Sequence, residues 1–230
     1  MNDERTRIFP LGENALTIEF ANEISEELND RVLSLTRYFE ERRFPGFVET
    51  VPAYSSLTIF FDLPEVRRAN PEFATGFEAV SEIAGKALRE AEPAARPEYR
   101  PREIPVYFDD ESAPDLKDLA AERGLTRARA IEIFTAKIYR VYMLGFLPGF
   151  AYMGEVDASI ATPRRETPRV KVPKGSVGIA GRQTGIYPFE SPGGWQIIGR
   201  TTEELFTPDD ETPCFLKPGE RIKFYPLERV

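Results

Sequence analysis

Two kinds of hydrophobic pattern alternate along roughly the first ninety residues. Apolar residues at helical spacing predict two helices, one beginning after Ser25 and one capped by Asn70, with Pro71 in its first position. Apolar residues that alternate with polar ones predict four strands, at Arg7–Phe9, Ala15–Phe20, Phe47–Tyr54 and Leu57–Asp62. The order β-β-α-β-β-α predicts an antiparallel sheet covered on one side by two helices, which is an α+β domain.

The segment Ala91–Pro101 interrupts these patterns. It contains three prolines and no apolar periodicity, which is typical of an interdomain linker. We therefore predict a small α+β domain over residues 1–92 and a second domain over residues 93–230.

The second domain begins with a predicted strand, Glu103–Phe108, and two predicted helices, Pro114–Arg123 and Arg127–Phe134. Beyond them the pattern changes, because ten of the 16 glycines and six of the 20 prolines lie between Val141 and Arg200. They separate short β-type runs such as Tyr139–Met143, Ser176–Ala180 and Trp195–Ile198. Short strands interrupted in this way predict a β-sandwich or a β-barrel.

The chain contains no histidine, which limits the kinds of catalytic site and metal site that it can form. Serine and cysteine hydrolases commonly use histidine as a general base, and zinc sites use it as a ligand, so we predict neither a hydrolase triad nor a metal site. No P-loop motif is present either. The single cysteine, Cys214, is predicted to be a small buried apolar residue.

The net charge of −8 argues against nucleic-acid binding, which needs a surplus of clustered basic residues. No apolar run approaches the roughly 18 residues that cross a bilayer, and the N-terminus lacks a signal-peptide core, so we expect a cytoplasmic protein that does not bind membranes.

The segment Ile160–Arg182 reverses the overall acidity. Its only acidic residue is Glu166, against six basic residues: Arg164, Arg165, Arg169, Lys171, Lys174 and Arg182. An anionic ligand and a solvated basic loop are both compatible with this composition.

Two stretches of this region carry a family resemblance. Gly145–Gly154 reads GFLPGFAYMG, and Ala161–Thr201 reads ATPRRETPRVKVPKGSVGIAGRQTGIYPFESPGGWQIIGRT. Both closely resemble the signature of the family that contains the B subunit of 5-oxoprolinase and the Kip inhibitor. That family is related to allophanate hydrolase subunit 1 and to half of the urea carboxylase carboxyltransferase domain. Pro45–Asp62 agrees with the family more loosely.

The resemblance implies a fold and two alternative functions. The implied fold is an α+β N-terminal domain followed by a cyclophilin-like antiparallel β-barrel. The first function is that of the B subunit of 5-oxoprolinase, inactive alone, which works with the C and A subunits to convert 5-oxoproline to glutamate, with ATP used by the assembled complex. The alternative is a binding protein that inhibits a histidine kinase, or a protein like allophanate hydrolase subunit 1.

ATP-driven opening of a lactam needs positive charge for phosphate and polar groups for the amide. The candidates for substrate or nucleotide binding are Arg164, Lys174, Arg182, Gln183, Tyr187, Ser191 and Arg200. Residues of two Gly-Pro loops are candidates for a pocket or a partner interface: Pro148, Gly149, Phe150, Gly193, Gly194 and Trp195. The sequence assigns no catalytic residue.

One position departs from the family pattern. Many members carry histidine five residues before the tyrosine that matches Tyr139, whereas this chain has Phe134 there. Because phenylalanine is a large apolar residue at the end of a predicted helix, we expect Phe134 to have a packing role.

The predicted linker can be tested by limited proteolysis of the folded protein. We expect the first cleavage within Ala91–Pro101, because an extended proline-rich segment is accessible to proteases while the glycine-rich region is ordered by strands. Mass spectrometry of the first fragments identifies the site. First cleavage within Gly175–Gly185 would contradict both the boundary and the barrel.

Overall fold

The computed structural model describes residues 5–92 and 100–228. Two compact units make up the chain, Met1–Pro97 and Glu98–Val230. The predicted linker falls mainly on residues 93–99, outside the described residues, so the boundary at residue 92 stays a prediction.

The first unit contains a four-stranded antiparallel sheet in the order β1-β2-β4-β3. Its strands are β1 Arg7–Pro10, β2 Ala15–Glu19, β3 Phe47–Pro52 and β4 Ser56–Phe61. All four predicted strands are confirmed, with ends that differ by no more than two residues. Alternate residues of β4 are buried, as period-two spacing requires when one face of a sheet is covered.

The helices of this unit are α1 Glu26–Glu41, α2 Leu63–Ala69 and α3 Gly76–Glu90. Ser25 caps α1, as predicted. The prediction that Asn70 begins a helix was wrong, because its side chain donates to the Val66 carbonyl and ends α2. The capping box of Thr75 and Glu78 satisfies the first backbone N–H groups and begins α3 instead. The order is therefore β-β-α-β-β-α-α.

The second unit holds two short helices and nine strands among its described residues. The helices are α4 Leu116–Glu122 and α5 Arg127–Ala136. The strands are β5 Arg102–Val106, β6 Ile138–Leu144, β7 Ala151–Gly154, β8 Arg169–Val172, β9 Ser176–Ala180, β10 Gln183–Ile186, β11 Ser191–Gly193, β12 Gln196–Arg200 and β13 Arg221–Pro226. Throughout residues 5–92 and 100–228, each helix is too short or too polar to cross a bilayer.

Seven of these strands form one sheet, in the order β12-β9-β10-β7-β6-β13-β5, while β8 and β11 pair as a separate ribbon. Tyr107 and Arg200 exchange backbone hydrogen bonds of 2.8 and 3.0 Å, which join the end of β5 to the end of β12. The sheet is therefore nearly closed, like a barrel. The prediction of an antiparallel β-barrel is confirmed in part: the sheet is barrel-like, but it is mixed, because β5 and β13 run parallel.

Phe134 lies in the core of this barrel. Its ring stacks on Phe224 at a centroid distance of 5.1 Å and contacts Tyr139 at 5.1 Å, while the Tyr139 hydroxyl donates to the Phe134 carbonyl. The expected packing role of Phe134 is confirmed. The prediction that Cys214 is buried was wrong, because this residue is half-buried in a bridge with Phe206 outside the main sheet.

Closure of the sheet depends on a close approach at Gly199. A Cβ atom at this position would lie 2.5 Å from Val106 Cγ1 and 3.2 Å from the Tyr107 carbonyl oxygen. We expect Gly199→Ala to lower the free energy of unfolding by about 1–3 kcal/mol through overpacking. Denaturant titration measures this loss.

The matched control is Gly145→Ala in the same unit, where the added Cβ would only make an ordinary contact, at 3.8 Å, with the Tyr152 ring. An equal loss of stability in the two variants would show that closure does not depend on Gly199.

Candidate functional site

A pocket of about 200 Å³ lies on the outer face of the barrel sheet. Tyr152, Gly185 and Gly178 are directly paired across β7, β10 and β9. Most of their neighbours along the three strands belong to the barrel core. Since side chains alternate along a strand, the three paired residues face outward and form a floor on which other side chains rest.

Two aromatic rings rest directly on the glycines of this floor. A Cβ atom at Gly178 would lie 3.0 Å from Trp195 Cβ, and one at Gly185 would lie 2.9 Å from Phe150 Cζ. Any larger residue would displace these rings, so the glycines set the depth of the pocket. Phe150, Gly193, Gly194 and Trp195 were predicted as pocket or interface residues, and all four line this pocket.

Phe150 is the centre of the aromatic cluster. It is fully buried and makes edge-to-face contacts with Tyr152, Tyr187 and Trp195 at centroid distances of 4.8, 5.3 and 5.5 Å. Phe146 stands at the rim, with 59% of its surface exposed and a positive φ of 68°. We call this site the aromatic pocket.

Arg164, Arg165 and Pro168 also line the aromatic pocket, and we call these three residues the arginine wall. Five of the six basic residues in Ile160–Arg182 form ion pairs. Arg165 and Arg169 pair with Asp115, Lys171 with Glu190, Lys174 with Glu204 and Arg182 with Glu155. Within the described part of the chain, Arg164 forms no ion pair. These ion pairs therefore neutralise most of the positive charge of the segment. The remaining positive charge lies on Arg164 and on the pair Arg165 and Arg169, which share the single carboxylate of Asp115.

Two tyrosines supply neutral hydroxyl groups to the pocket. Burial raises the pKa of Tyr152, and the nearby positive charge of Arg164 opposes the rise. Burial also raises the pKa of Tyr187, against a hydrogen bond with the Trp195 backbone and the charge of Arg164. Both phenols therefore stay protonated at neutral pH and can donate hydrogen bonds.

The most connected polar residue near the pocket is Asp115, which sequence reasoning missed. Its buried carboxylate accepts from Arg165 Nη1 at 3.0 Å, from Arg169 Nη2 at 2.5 Å and from the Ile197 backbone N–H at 2.6 Å. Asp115 precedes α4, where an aspartate suggests a helix cap, but its side chain makes no capping hydrogen bond. A local pattern could not reveal partners so distant in sequence.

Sequence reasoning also missed Phe146, Tyr152 and Pro168, and it did not single out Arg165 as a site residue. The alternation of Tyr152 with two core residues, Ala151 and Met153, was the one available signal that it faces outward.

Several predicted residues lie away from the aromatic pocket. Lys174 pairs with Glu204, and Arg200 Nε donates to the Lys174 carbonyl at 2.9 Å, at the end of β12 opposite Trp195. Arg182 and Gln183 lie at the end of β10 opposite Tyr187. These four residues share one barrel with the pocket but do not line it.

The remaining three predicted residues flank the pocket without lining it. The Ser191 hydroxyl donates to the Pro192 carbonyl at 3.3 Å. Pro148 and Gly149 belong to the loop that leads to Phe150. A Cβ atom at Gly149 would lie 2.7 Å from the Leu205 carbonyl oxygen, so this glycine packs against a neighbouring loop.

The family model for the carboxyltransferase domain, subdomain C and D, matches residues 6–216. This chain belongs to that family. The match covers both units, and it confirms the family predicted from Gly145–Thr201.

Relatives within the carboxyltransferase family show what this chain is similar to. It is 43% identical to the 5-oxoprolinase B subunit of Bacillus subtilis (strain 168), over 96% of this chain and 92% of the relative. It is 44% identical to the conserved uncharacterized protein PH0987 from Pyrococcus horikoshii, with a TM-score of 0.54 over 96% of this chain and 98% of that one. The crystal structure of TTHA0988 gives a TM-score of 0.79 at 34% identity, over 94% of this chain. This chain spans only 41% of TTHA0988.

The raised pKa values of Tyr152 and Tyr187 can be tested by alkaline titration of tyrosinate absorbance at about 295 nm. Unfolded tyrosine has a pKa of about 10, so above that pH the folded state retains protons that the unfolded state releases. The contribution of these two tyrosines to the free energy of unfolding should be constant below about pH 10 and fall as pH rises further. Part of the tyrosinate absorbance of the folded protein should therefore appear at a higher pH than the absorbance of an ordinary tyrosine. It should shrink in Tyr152→Phe and Tyr187→Phe. Complete ionisation near pH 10 in a protein that remains folded would contradict the raised values.

Proposed function

We propose that this chain is the B subunit of an ATP-dependent 5-oxoprolinase, which acts with the C and A subunits to open 5-oxoproline to glutamate. The observation that supports this most strongly is the 43% identity to a relative named as the B subunit of 5-oxoprolinase, over 92% of that relative. Full-length similarity at this level favours a shared role over similarity of one domain.

We assign the lactam, and not the nucleotide, to the aromatic pocket. Its volume of about 200 Å³ is below the roughly 300–1,000 Å³ typical of sites for drug-sized ligands, and suits a single small ring. The flat faces of the aromatic cluster suit a planar amide. The Arg164 guanidinium can donate charge-assisted hydrogen bonds to the carboxylate of 5-oxoproline, and Tyr152 or Tyr187 can donate to the lactam carbonyl.

The composition of the pocket supports dependence on partners. Among its described lining residues there is no carboxylate or amine that could move protons at neutral pH. Arginine remains protonated, and the raised pKa keeps both tyrosines neutral. We therefore propose that the chain binds and orients the lactam, while the partner proteins supply the rest of the chemistry and the ATP site.

We propose that the other candidate site residues contact the nucleotide or a partner subunit in the assembled complex. These residues are Lys174, Arg182, Gln183, Ser191, Arg200, Pro148 and Gly149. We also propose that the nearly closed barrel of the second unit is cyclophilin-like, that the domain boundary lies at residue 92 and that the protein works in the cytoplasm.

Reconstitution tests the proposed function. The purified chain alone should show no ATP hydrolysis that depends on 5-oxoproline, because the pocket lacks an acid–base pair. Addition of the C and A subunits should produce it, together with one glutamate per lactam consumed. Coupled phosphate release and chromatography of glutamate measure both quantities.

The C and A subunits without this chain serve as the control. Equal activity in that control, or full activity from this chain alone, would overturn the proposal. An inactive mixture would also count against it. Inhibition of histidine kinase autophosphorylation by the same preparation would then favour the alternative function.

A further inference from the structure

Two separate segments meet at the arginine wall. One contains Arg164 and Arg165, and the other runs from Gly194 to Ile197. The Arg165 backbone N–H donates to the Gly194 carbonyl at 2.7 Å, and Gln196 Nε2 donates to the Pro163 carbonyl at 3.2 Å. These two contacts hold the arginine wall beside Trp195, so a shift of either segment changes the shape of the aromatic pocket.

Asp115 connects both segments to the barrel. Its backbone N–H donates to the Ile197 carbonyl at 3.0 Å, and its carboxylate accepts the Ile197 N–H, so Ile197 is held on both sides. The same carboxylate binds the guanidinium groups of Arg165 and Arg169. One buried side chain thus fixes a strand residue two positions after Trp195 and two arginines of the opposite segment.

The arginines depend on this one carboxylate. Arg165 Nε and Arg169 Nη1 are buried and have no hydrogen-bond partner among the described residues. Asp115 is the acidic residue with which each forms an ion pair in the described structure. Loss of the carboxylate would leave two partly buried positive charges without compensation, and they would move toward solvent. Arg164 is covalently next to Arg165 and would move with it.

We propose that Asp115 is a positioning residue, which holds Arg165 and Arg169 so that Arg164 faces the aromatic pocket and can bind the carboxylate of a small planar substrate. This inference rests on the proposed function. Asp115 does not line the pocket, so it acts through the arginine wall and not by touching the lactam.

The test uses Asp115→Asn in the reconstituted complex. This change keeps the shape of the side chain but removes its charge, and we expect the KM for 5-oxoproline to rise about tenfold. The KM for ATP and kcat should change less than about twofold, because the residue positions only the lactam site. General damage to the fold would instead lower kcat as well.

A double-mutant cycle separates positioning from a structural role. If Asp115 acts through Arg164, the variant that combines Asp115→Asn with Arg164→Ala should have nearly the same KM as Arg164→Ala alone. Two increases that multiply would overturn the proposal. Glu190→Gln is the matched control, because it breaks an exposed ion pair with Lys171 at 2.9 Å in the same unit and should leave KM unchanged.

Trp195 provides a readout that does not need the partners. It is the single tryptophan of the chain and is buried in the pocket wall, so acrylamide should quench its fluorescence weakly. If the isolated Asp115→Asn variant folds, acrylamide quenching of its Trp195 fluorescence should be at least twofold stronger than in the wild-type protein. Quenching in the Glu190→Gln variant should equal that of the wild-type protein. If the Asp115→Asn variant does not fold, the same measurements are made on Arg169→Gln, in which Arg165 still neutralises the charge of Asp115. The Arg169→Gln variant should raise both the quenching and the KM for 5-oxoproline about threefold.

The two proposals fail in different ways. An inactive wild-type complex refutes the lactamase function, and the fluorescence comparison then still decides whether Asp115 holds the wall. An active complex in which the Asp115 and Arg169 variants keep the wild-type KM and quenching refutes the positioning role alone.

Discussion

The closure of the second unit rests on a close backbone approach between β5 and β12, where Tyr107 and Arg200 exchange two hydrogen bonds. The approach is possible because Gly199 has no side chain to meet Val106. Once the sheet curves until its ends meet, its inner face encloses a continuous apolar core, and its outer face becomes a curved surface. The aromatic pocket is built on that outer surface, so its position depends on closure.

Two other glycines allow aromatic rings to pack directly against the outer face of the sheet. Gly178 and Gly185 are paired across β9 and β10, and the rings of Trp195 and Phe150 rest on them. The sheet itself is therefore the floor of the pocket. Rings held against backbone in this way have little freedom to move, which reduces the conformational entropy that the pocket itself loses when a ligand binds. A small planar molecule can then be recognised by shape with few polar contacts.

The charges around the pocket follow from the fold in a similar way. An acidic protein concentrates six basic residues in one segment, and the fold then neutralises most of them with carboxylates from elsewhere in the chain. Arg164 stays available, while Asp115 holds its two neighbouring arginines. In the proposed function, electrostatic selectivity would come from Arg164, which forms no ion pair among the described residues, and not from the total charge of the segment. That distribution suits a small anion more than a polyanion.

The sequence by itself determined the local elements and the family. Alternation located the strands β1 to β4, and Ser25 marked the start of α1. The motif of Gly145–Thr201 identified a family that is related to the carboxyltransferase domain, whose family model matches the chain. The sequence also singled out Arg164, Tyr187, Phe150 and Trp195, which lie together around the aromatic pocket, and their role in binding stays a prediction. Only the tertiary structure decided that Lys174 and Arg182 form ion pairs away from the pocket. It also decided that Asp115 binds Arg165 and Arg169, which lie 50 and 54 positions further along the chain. Strand and cap signals arise between neighbours in sequence, whereas ion pairs form between residues that only the fold brings together.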